Sequence, residues 1–235
     1  NRVNIDDFVI TGIATNTWNG SAWSEGQAPQ GEHAVVAGNL NITTGFSSSD
    51  FTINNGAAVT LAAGETLTVN GDFTNNGSLT LEATDENTYA QLITNGTVSG
   101  NVTVQRAITG STQGWRFISP AVSGTLADLG NSVQLTGAAN VIRLNTNNPN
   151  AWVAQGGAGT DAFVAGKGYV AYFGTDGVNG SNVATTLSLT GALNNSNVTV
   201  SGLSDGDGTS DFGWSVVGNP FAAGIDFSNT TEVAL

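Results

Sequence analysis

The feature that most constrains the fold is a near-repeat of short apolar-polar-apolar steps between Asn39 and Val104. Three of these steps, Leu40-Asn41-Ile42, Val59-Thr60-Leu61 and Leu79-Thr80-Leu81, lie 19 and then 20 residues apart. Two apolar residues around a polar one indicate a strand with one buried face. A period of about 20 residues with such steps is typical of stacked β-solenoid coils. The repeat therefore predicts a β-solenoid-like, or parallel β-helix-like, zone.

A turn signal inside the repeat leaves a second interpretation open. Asn75-Asn76-Gly77 contains the Asn-Gly pair that favours a type I′ hairpin turn. Such a turn would join Phe73 to Leu79 in an antiparallel hairpin. A meander would then replace the solenoid in this stretch.

The scarcity of charge favours strands and turns over helices. Charged residues make up only 10% of the chain, against about 25% in an ordinary soluble domain. Asn, Thr, Ser and Gly must supply most of the surface polarity, and these residues disfavour long helices. The best helical pattern, Val122–Leu135, is interrupted by Gly124 and Gly130. We therefore expect an all-β fold with almost no helix.

The chain divides into two predicted zones. Residues 1–106 comprise an N-terminal segment with two Trp and then the solenoid-like zone, and residues 107–235 are predicted to form a β-sandwich-like zone. The boundary is placed near Ala107–Gly114. Aromatic strands separated by Gly- and Asn-rich loops distinguish the second zone. Its candidate strands are Trp115–Ile118, Val141–Leu144, Tyr169–Phe173, Thr186–Leu189, Val198–Val200 and Trp214–Val217.

The charge balance excludes whole classes of partner. The net charge is −13, and the four Arg and one Lys are scattered, whereas nucleic-acid binding needs clustered Lys and Arg. No apolar run approaches the about 20 residues of a membrane span, so we expect no nucleic-acid partner and no membrane insertion. The chain has no Cys and does not begin with Met or a secretory leader. We expect a processed protein or a part of a longer one.

One acidic loop is a candidate metal site. Asp205, Asp207, Thr209 and Asp211 place oxygen side chains at every second position, with Gly206 and Gly208 among the residues between them. Ca²⁺ takes 6–8 oxygen ligands and tolerates irregular geometry. The pattern lacks the bidentate Glu of an EF-hand, and a solvated acidic turn is the alternative.

Aromatic rings are the candidate ligand contacts. Trp152 follows the loop Asn145–Asn150 and precedes a Gly-rich one, so we predict that it stacks on a sugar ring. For Trp18, Trp23, Trp115 and Trp214 we expect packing roles instead.

Catalytic residue types are scarce. His33 is the one histidine, and we expect it to have a structural role, since geometry and not sequence position defines a catalytic triad. With no Cys, a zinc site of three or four N or S ligands is improbable. No pair of carboxylates stands out for glycoside hydrolysis. We therefore expect no enzyme activity.

Four stretches, taken in order, resemble a known family. The residues that carry the resemblance are Thr17-Trp18-Asn19-Gly20 with Trp23 and Pro29; Gly56–Val69 with Gly71-Asp72-Phe73; Val102–Arg106 with Gly114–Pro120; and Gly213–Phe221 with Ile225-Asp226-Phe227. They are similar to the passenger region of large surface proteins exported through the type IX secretion system of Bacteroidota. The family's carboxy-terminal sorting domain is not visible here. The resemblance implies an extracellular, cell-surface location and implies no reaction.

These observations together predict a structural or adhesive module of the cell surface. Sheet edges at the ends of a solenoid can pair with another copy, so we expect a homo-oligomer or fibre. The predicted anchors are Val3, Ile5, Phe8 and Ile10, on a terminal segment that would otherwise fray. The alternative is a carbohydrate-binding module that takes an extracellular glycan.

Overall fold

The computed structural model describes residues 12–109, 114–132, 141–144, 152–154, 161–173, 185–201 and 216–225. Its elements are almost all strands, which confirms the all-β class. The strands are β1 (Thr15–Trp18), β2 (His33–Val36), β3 (Leu40–Ile42), β4 (Phe46–Ser48), β5 (Phe51–Ile53), β6 (Ala58–Leu61), β7 (Thr66–Val69), β8 (Phe73–Asn75), β9 (Ser78–Leu81), β10 (Gln91–Thr94), β11 (Val98–Ser99), β12 (Asn101–Ile108), β13 (Trp115–Ile118), β14 (Val141–Leu144), β15 (Trp152–Ala154), β16 (Tyr169–Tyr172) and β17 (Thr185–Ala192). A single 3-10 helix, Leu126–Ser132, lies among the described residues, within the stretch of best helical pattern.

The first part of the chain is a three-sided parallel solenoid, which confirms the predicted solenoid zone. Sheet A has the order β1-β2-β5-β8-β11, sheet B the order β4-β7-β10, and sheet C the order β3-β6-β9-β12-β17. Each coil contributes one strand to each sheet in turn. Three coils are complete, and β11 and β12 begin a fourth.

The sequence repeat is the stack of sheet C. Leu40 pairs with Val59, and Val59 pairs with Leu79, one coil further on each time. All three side chains are buried, at 8%, 2% and 1% exposure, because side chains alternate between the two faces of a strand. Thr60 and Thr80 lie between them on the outer face. One register therefore places each apolar residue against its equivalent in the next coil.

The meander interpretation is wrong. β8 pairs in parallel with β5 and β11, and β9 pairs in parallel with β6 and β12. The Asn-Gly pair forms a solenoid corner instead, where the buried Asn75 side chain accepts a hydrogen bond from the Gly77 N–H at 3.1 Å and donates to the Asn101 carbonyl. Inside the solenoid, Phe73 stacks on Phe51 of the preceding coil, with ring centroids 6.1 Å apart.

Aromatic side chains lead from the N-terminal end of the solenoid into its core. Trp18 contacts Trp23 with ring centroids 5.6 Å apart, and Trp23 meets Phe46 edge-on at 5.9 Å. Phe46 then contacts Phe51, which stacks on Phe73. Trp18 and Trp23 are partly buried against the core, so both have the packing role expected of them.

The second zone contains a four-stranded antiparallel sheet of order β13-β16-β14-β15. β16 is buried on both faces, as a central strand covered on two sides would be. A second sheet facing this one is not seen in the described residues, so the sandwich architecture stays a prediction. Residues 198–200 form no strand, and the prediction for Val198–Val200 is wrong. Of Trp214–Val217, the described Val217 makes one bridge to Lys167.

Sheet C continues across the predicted boundary between the two zones. β12 pairs with β9 through Thr103 and Val104, and all eight of its residues pair with β17 in antiparallel register. β17 thereby joins the second zone to the solenoid by backbone hydrogen bonds. The division at residue 106 stays a prediction of domain organisation.

Candidate functional site

A cleft lies where the last solenoid coil meets the second zone. Its volume is about 410 Å³, and its walls come from β12, the β9–β10 loop, β13, β17 and the turn around Asn219. The apolar lining includes Ile108, Leu187 and Phe221, and the polar lining includes two of the chain's four Arg. Clefts of about 300–1,000 Å³ with few convergent polar groups are typical of small-molecule sites.

Arg106 is the central cation of this cleft. It follows the inward-facing Val102 and Val104 along β12, on the same face of the strand. Its guanidinium lies over the Tyr89 ring, 4.4 Å from the centroid, and its Nη1 donates to the Gln105 carbonyl at 2.8 Å. Burial lowers the pKa of Arg106, an effect that Tyr89 partly offsets.

Glu86 ties the β9–β10 loop to the second zone. Its Oε1 accepts hydrogen bonds from the Thr109 N–H at 3.0 Å and from the Thr109 hydroxyl. The Arg116 Nε lies 3.8 Å from the same carboxylate, and Arg116 Nη2 donates to the Thr109 carbonyl at 3.0 Å. Hydrogen bonds from Thr109, together with the Arg116 charge, hold the pKa of Glu86 below its usual value.

The outer face of sheet C is a second candidate surface. Asn41, Thr60, Thr80, Thr103 and Thr190 follow one another in register across its five strands. Neighbouring strands are about 4.8 Å apart, so the row is a regular array of small polar groups. The hydroxyls of Thr103 and Thr190 contact each other at 2.7 Å. The row carries no charge.

The two ends of the solenoid differ in how their edges are covered. At the C-terminal end, β17 covers sheet C, and the Leu92 N–H of sheet B donates to the Ala222 carbonyl at 3.0 Å. At the N-terminal end, the Ser24 N–H donates to the Thr17 carbonyl of sheet A, and the Thr17 N–H donates to the Ser24 hydroxyl. Gln30 forms a β-bridge with Ser47 of sheet B. β3 of sheet C has no partner strand on the side away from β6 within the described ranges.

Most of the predicted site residues lie outside the described residues. These are the predicted calcium ligands Asp205, Asp207, Thr209 and Asp211 and the predicted self-association anchors Val3, Ile5, Phe8 and Ile10. Trp152 begins β15, opposite Leu144, and its side chain is likewise outside what is described. These assignments stay predictions.

His33 has neighbours that sequence analysis missed. Its Nε2 is 3.4 Å from the Thr52 Oγ1, and its Nδ1 is 3.6 Å from the Asp50 Oδ2. The order hydroxyl, imidazole, carboxylate is that of a catalytic triad. However, 3.6 Å exceeds a hydrogen bond, and neither of the two main clefts of the described structure includes these residues. The coil repeat was the available signal, because Asp50 follows His33 by the same 17 residues that separate the paired Ala34 and Phe51.

The described residues contain neither a cluster of metal-binding side chains nor a membrane-spanning helix. No group of three or more His, Cys, Asp or Glu side chains converges as a metal site would require. No helix in the described segments is long and apolar enough to cross a membrane.

The fold and these surfaces define a parallel β-solenoid whose C-terminal end is covered by a second β zone. The chain belongs to the family described as Domain of unknown function (DUF8693), which matches residues 9–233. No solved structure shows significant similarity to it.

A partial similarity relates one stretch of the chain to an Escherichia coli protein. The probable autotransporter YfaL of Escherichia coli (strain K12) is 42% identical over 75 residues. The match covers 31% of this chain and 5% of the E. coli protein. The chain therefore spans a small fraction of the length of that relative.

Proposed function

We propose that this chain is a structural or adhesive module of the cell surface, and that it associates with copies of itself. The observation that carries the proposal is the edge of β3 in sheet C, with which no strand of the described residues pairs on the side away from β6. The other two sheets are covered at the same end by Ser24 and Gln30. An unpaired edge presents backbone N–H and C=O groups that another strand can bind.

The surface location is supported by two resemblances. The partial match to a probable autotransporter connects a stretch of the chain with a class of exported proteins. The order of motifs resembles passenger regions of the type IX system, a finer assignment that also belongs to the proposal. A parallel solenoid suits such a role, because its length grows with coil number while each coil contacts only its neighbours.

The occupant we propose for the edge is residues 1–10 of a second copy. Val3, Ile5, Phe8 and Ile10 supply the apolar contacts, and strand addition supplies the backbone hydrogen bonds. The absence of charged side chains in the outer row of sheet C favours close approach of the added strand to β3. The neighbouring outer row is Asn41 followed by Thr60 and Thr80, so a strand added at β3 meets little Coulomb repulsion.

Light scattering across a concentration series tests this proposal. The intact chain should form oligomers, and deletion of residues 1–10 should yield a folded monomer. Asn41→Pro should also yield a monomer, since it removes the backbone donor of the exposed middle residue of β3, and edge strands tolerate Pro. Asn41→Ala is the matched control, because it keeps that donor and should still associate.

Two results would overturn the proposal. One is a strict monomer for the intact chain at every concentration. The other is association that survives both the deletion and Asn41→Pro, which would assign the contact to another surface.

Carbohydrate binding is the alternative function, and a different observation favours it. The cleft at the end of the solenoid combines the guanidinium of Arg106 with the ring of Phe117, which is 71% exposed. Exposed rings beside polar groups suit the apolar face and hydroxyls of a sugar. The argument from the cleft is separate from the prediction that Trp152 stacks on a sugar ring. Retention on immobilised polysaccharide, lost in Phe117→Ala, is the corresponding test.

A further inference from the structure

Arg106 is a half-buried cation that has no carboxylate partner among the described residues. The ion pairs of the described residues join His33 to Asp50 and Arg116 to Glu86, and neither includes Arg106. Within the described part of the chain, its guanidinium contacts the Tyr89 ring and donates to the Gln105 carbonyl. A guanidinium has five N–H donors, and a desolvated charge is costly unless it is paired. The remaining donors of Arg106 therefore suit an anionic group in the cleft.

The local charge of the cleft runs against that of the whole chain. The net charge of the chain is −13, yet the cleft is lined by two guanidiniums and one carboxylate, that of Glu86. The Glu86 carboxylate accepts a hydrogen bond from Thr109 and forms an ion pair with Arg116. An anion that enters the cleft thus meets a cation whose charge is not compensated.

The size and apolar lining of the cleft restrict the class of ligand further. A volume of about 410 Å³ holds one or two sugar rings. Phe117 is 71% exposed at its wall, and an exposed phenyl ring offers a flat face for the C–H groups of a pyranose. The hydroxyl of Ser119 and the amide of Asn219 are directed to neighbouring backbone carbonyls, at 2.9 Å and 2.7 Å.

We propose that this cleft binds a single uronic acid residue of a glycan, with the carboxylate on Arg106 and the ring on Phe117. The inference rests on the alternative function above, carbohydrate binding, and is independent of self-association. A terminal or isolated uronate fits better than a polyanion. The negative charge of the chain repels a long anionic polymer, whereas salt screens the distant acids beyond about 8 Å at physiological ionic strength.

Calorimetric titration of the intact chain tests the proposal. The probes are methyl glucuronoside and methyl galacturonoside, with methyl glucoside and methyl galactoside as neutral controls. At least one uronoside should bind, and its neutral counterpart should bind about tenfold more weakly or worse, since hydrogen bonds to charged groups contribute about 1.5–3 kcal/mol.

Variants locate the contact. Arg106→Gln should lose the preference for the uronoside over its neutral counterpart. Phe117→Ala should weaken the binding of both the uronoside and the neutral sugar. Lys167→Gln is the matched control, because it removes one positive charge away from the cleft lining and should leave binding unchanged. Arg106→Lys should recover part of the preference, since the charge remains without the planar guanidinium. The uronoside should also raise the melting temperature of the intact chain and not that of Arg106→Gln.

The outcomes separate this inference from the function on which it rests. Equal binding of charged and neutral sugars would overturn the uronate proposal and leave carbohydrate binding intact. No binding of any sugar would overturn both. A preference for the uronoside that persists in a folded Arg106→Gln would overturn the assignment of Arg106. If acetate bound as tightly as the uronoside, the proposal that the cleft also recognises the sugar ring would be overturned.

Discussion

Thr97 donates two hydrogen bonds to a single carboxylate oxygen of Asp72, one from its backbone N–H at 2.9 Å and one from its hydroxyl at 2.7 Å. The contact joins two consecutive coils at a solenoid corner. One coil earlier, Asp50 accepts the Asp72 N–H in the same way at 2.8 Å. Acidic side chains thus connect the coils at the corner where sheet A begins.

These bonds make stability depend on pH. Donation from Thr97 holds the pKa of Asp72 below its ordinary value of 3.8, so the carboxylate stabilises the fold in its charged form. The contribution is complete above the unfolded pKa and is lost as the pH falls through the lower folded pKa. We expect melting temperatures between pH 5 and pH 2 to fall less steeply in Asp72→Asn than in the intact chain.

Asp72→Asn keeps an oxygen acceptor for Thr97 and removes only the titration, which makes it the appropriate comparison. Asp85 and Glu86 also have lowered pKa values through hydrogen bonds, and they contribute equally to both proteins. Parallel curves for the two proteins would contradict the role assigned to Asp72.

The stacked rings of Phe51 and Phe73 are expected to dominate core stability. They lie 6.1 Å apart at an angle of 16° and are 0% and 1% exposed. Phe73→Ala should lower the free energy of unfolding by about 3–5 kcal/mol, as measured by chemical denaturation. The neighbouring Thr74 faces outward, and Thr74→Ala should stay within about 0.5 kcal/mol. A small loss in Phe73→Ala would mean that the coils rearrange around the missing ring.

Gly77 is required by the close approach of two coils. A Cβ at this position would lie 2.2 Å from the Ala57 carbonyl oxygen and 2.7 Å from that of Asn54. Gly77→Ala should therefore lower the free energy of unfolding by about 1–3 kcal/mol. Gly12→Ala is the control, because no atom of the described residues lies within 4 Å of a Cβ there. If both variants melt together, the corner is not as tightly packed as described.

The contact between Arg106 and Tyr89 is expected to depend on the ring and not on the hydroxyl. Tyr89→Phe keeps a face for the guanidinium and should unfold at nearly the same denaturant concentration as the intact chain. Tyr89→Leu should lower the free energy of unfolding by about 0.5–2 kcal/mol beyond its packing loss. A double-mutant cycle with Arg106→Gln isolates this coupling. A coupling energy near zero would show that the two side chains are neighbours without interaction.

The sequence was sufficient for the solenoid because its information is local and repeated. Alternation around Thr60 and Thr80 specifies which face is buried, and the near-constant spacing from Leu40 to Val59 to Leu79 specifies the stacking. Each coil repeats the same apolar-polar-apolar pattern, so a strand that is ambiguous in one coil can be assigned from its equivalent in the next. The Asn76-Gly77 turn lacked this redundancy, because its local preference fits a hairpin and a solenoid corner equally well.

The contacts between non-repeating side chains could be seen only in the three-dimensional fold. Arg106 reaches Tyr89 because the loop between β9 and β10 departs from the coil period, and the path of that loop depends on packing against Thr109 and Arg116. β17 closes sheet C from at least 77 residues away along the chain, since Ile108 pairs with Thr185 in the antiparallel register between β12 and β17. Sequence alone determined the repeating coil, since coil stacking follows from periodic burial. The cleft, and the lack of a partner for the outer edge of β3 among the described strands, depend on long-range contacts that no local pattern encodes.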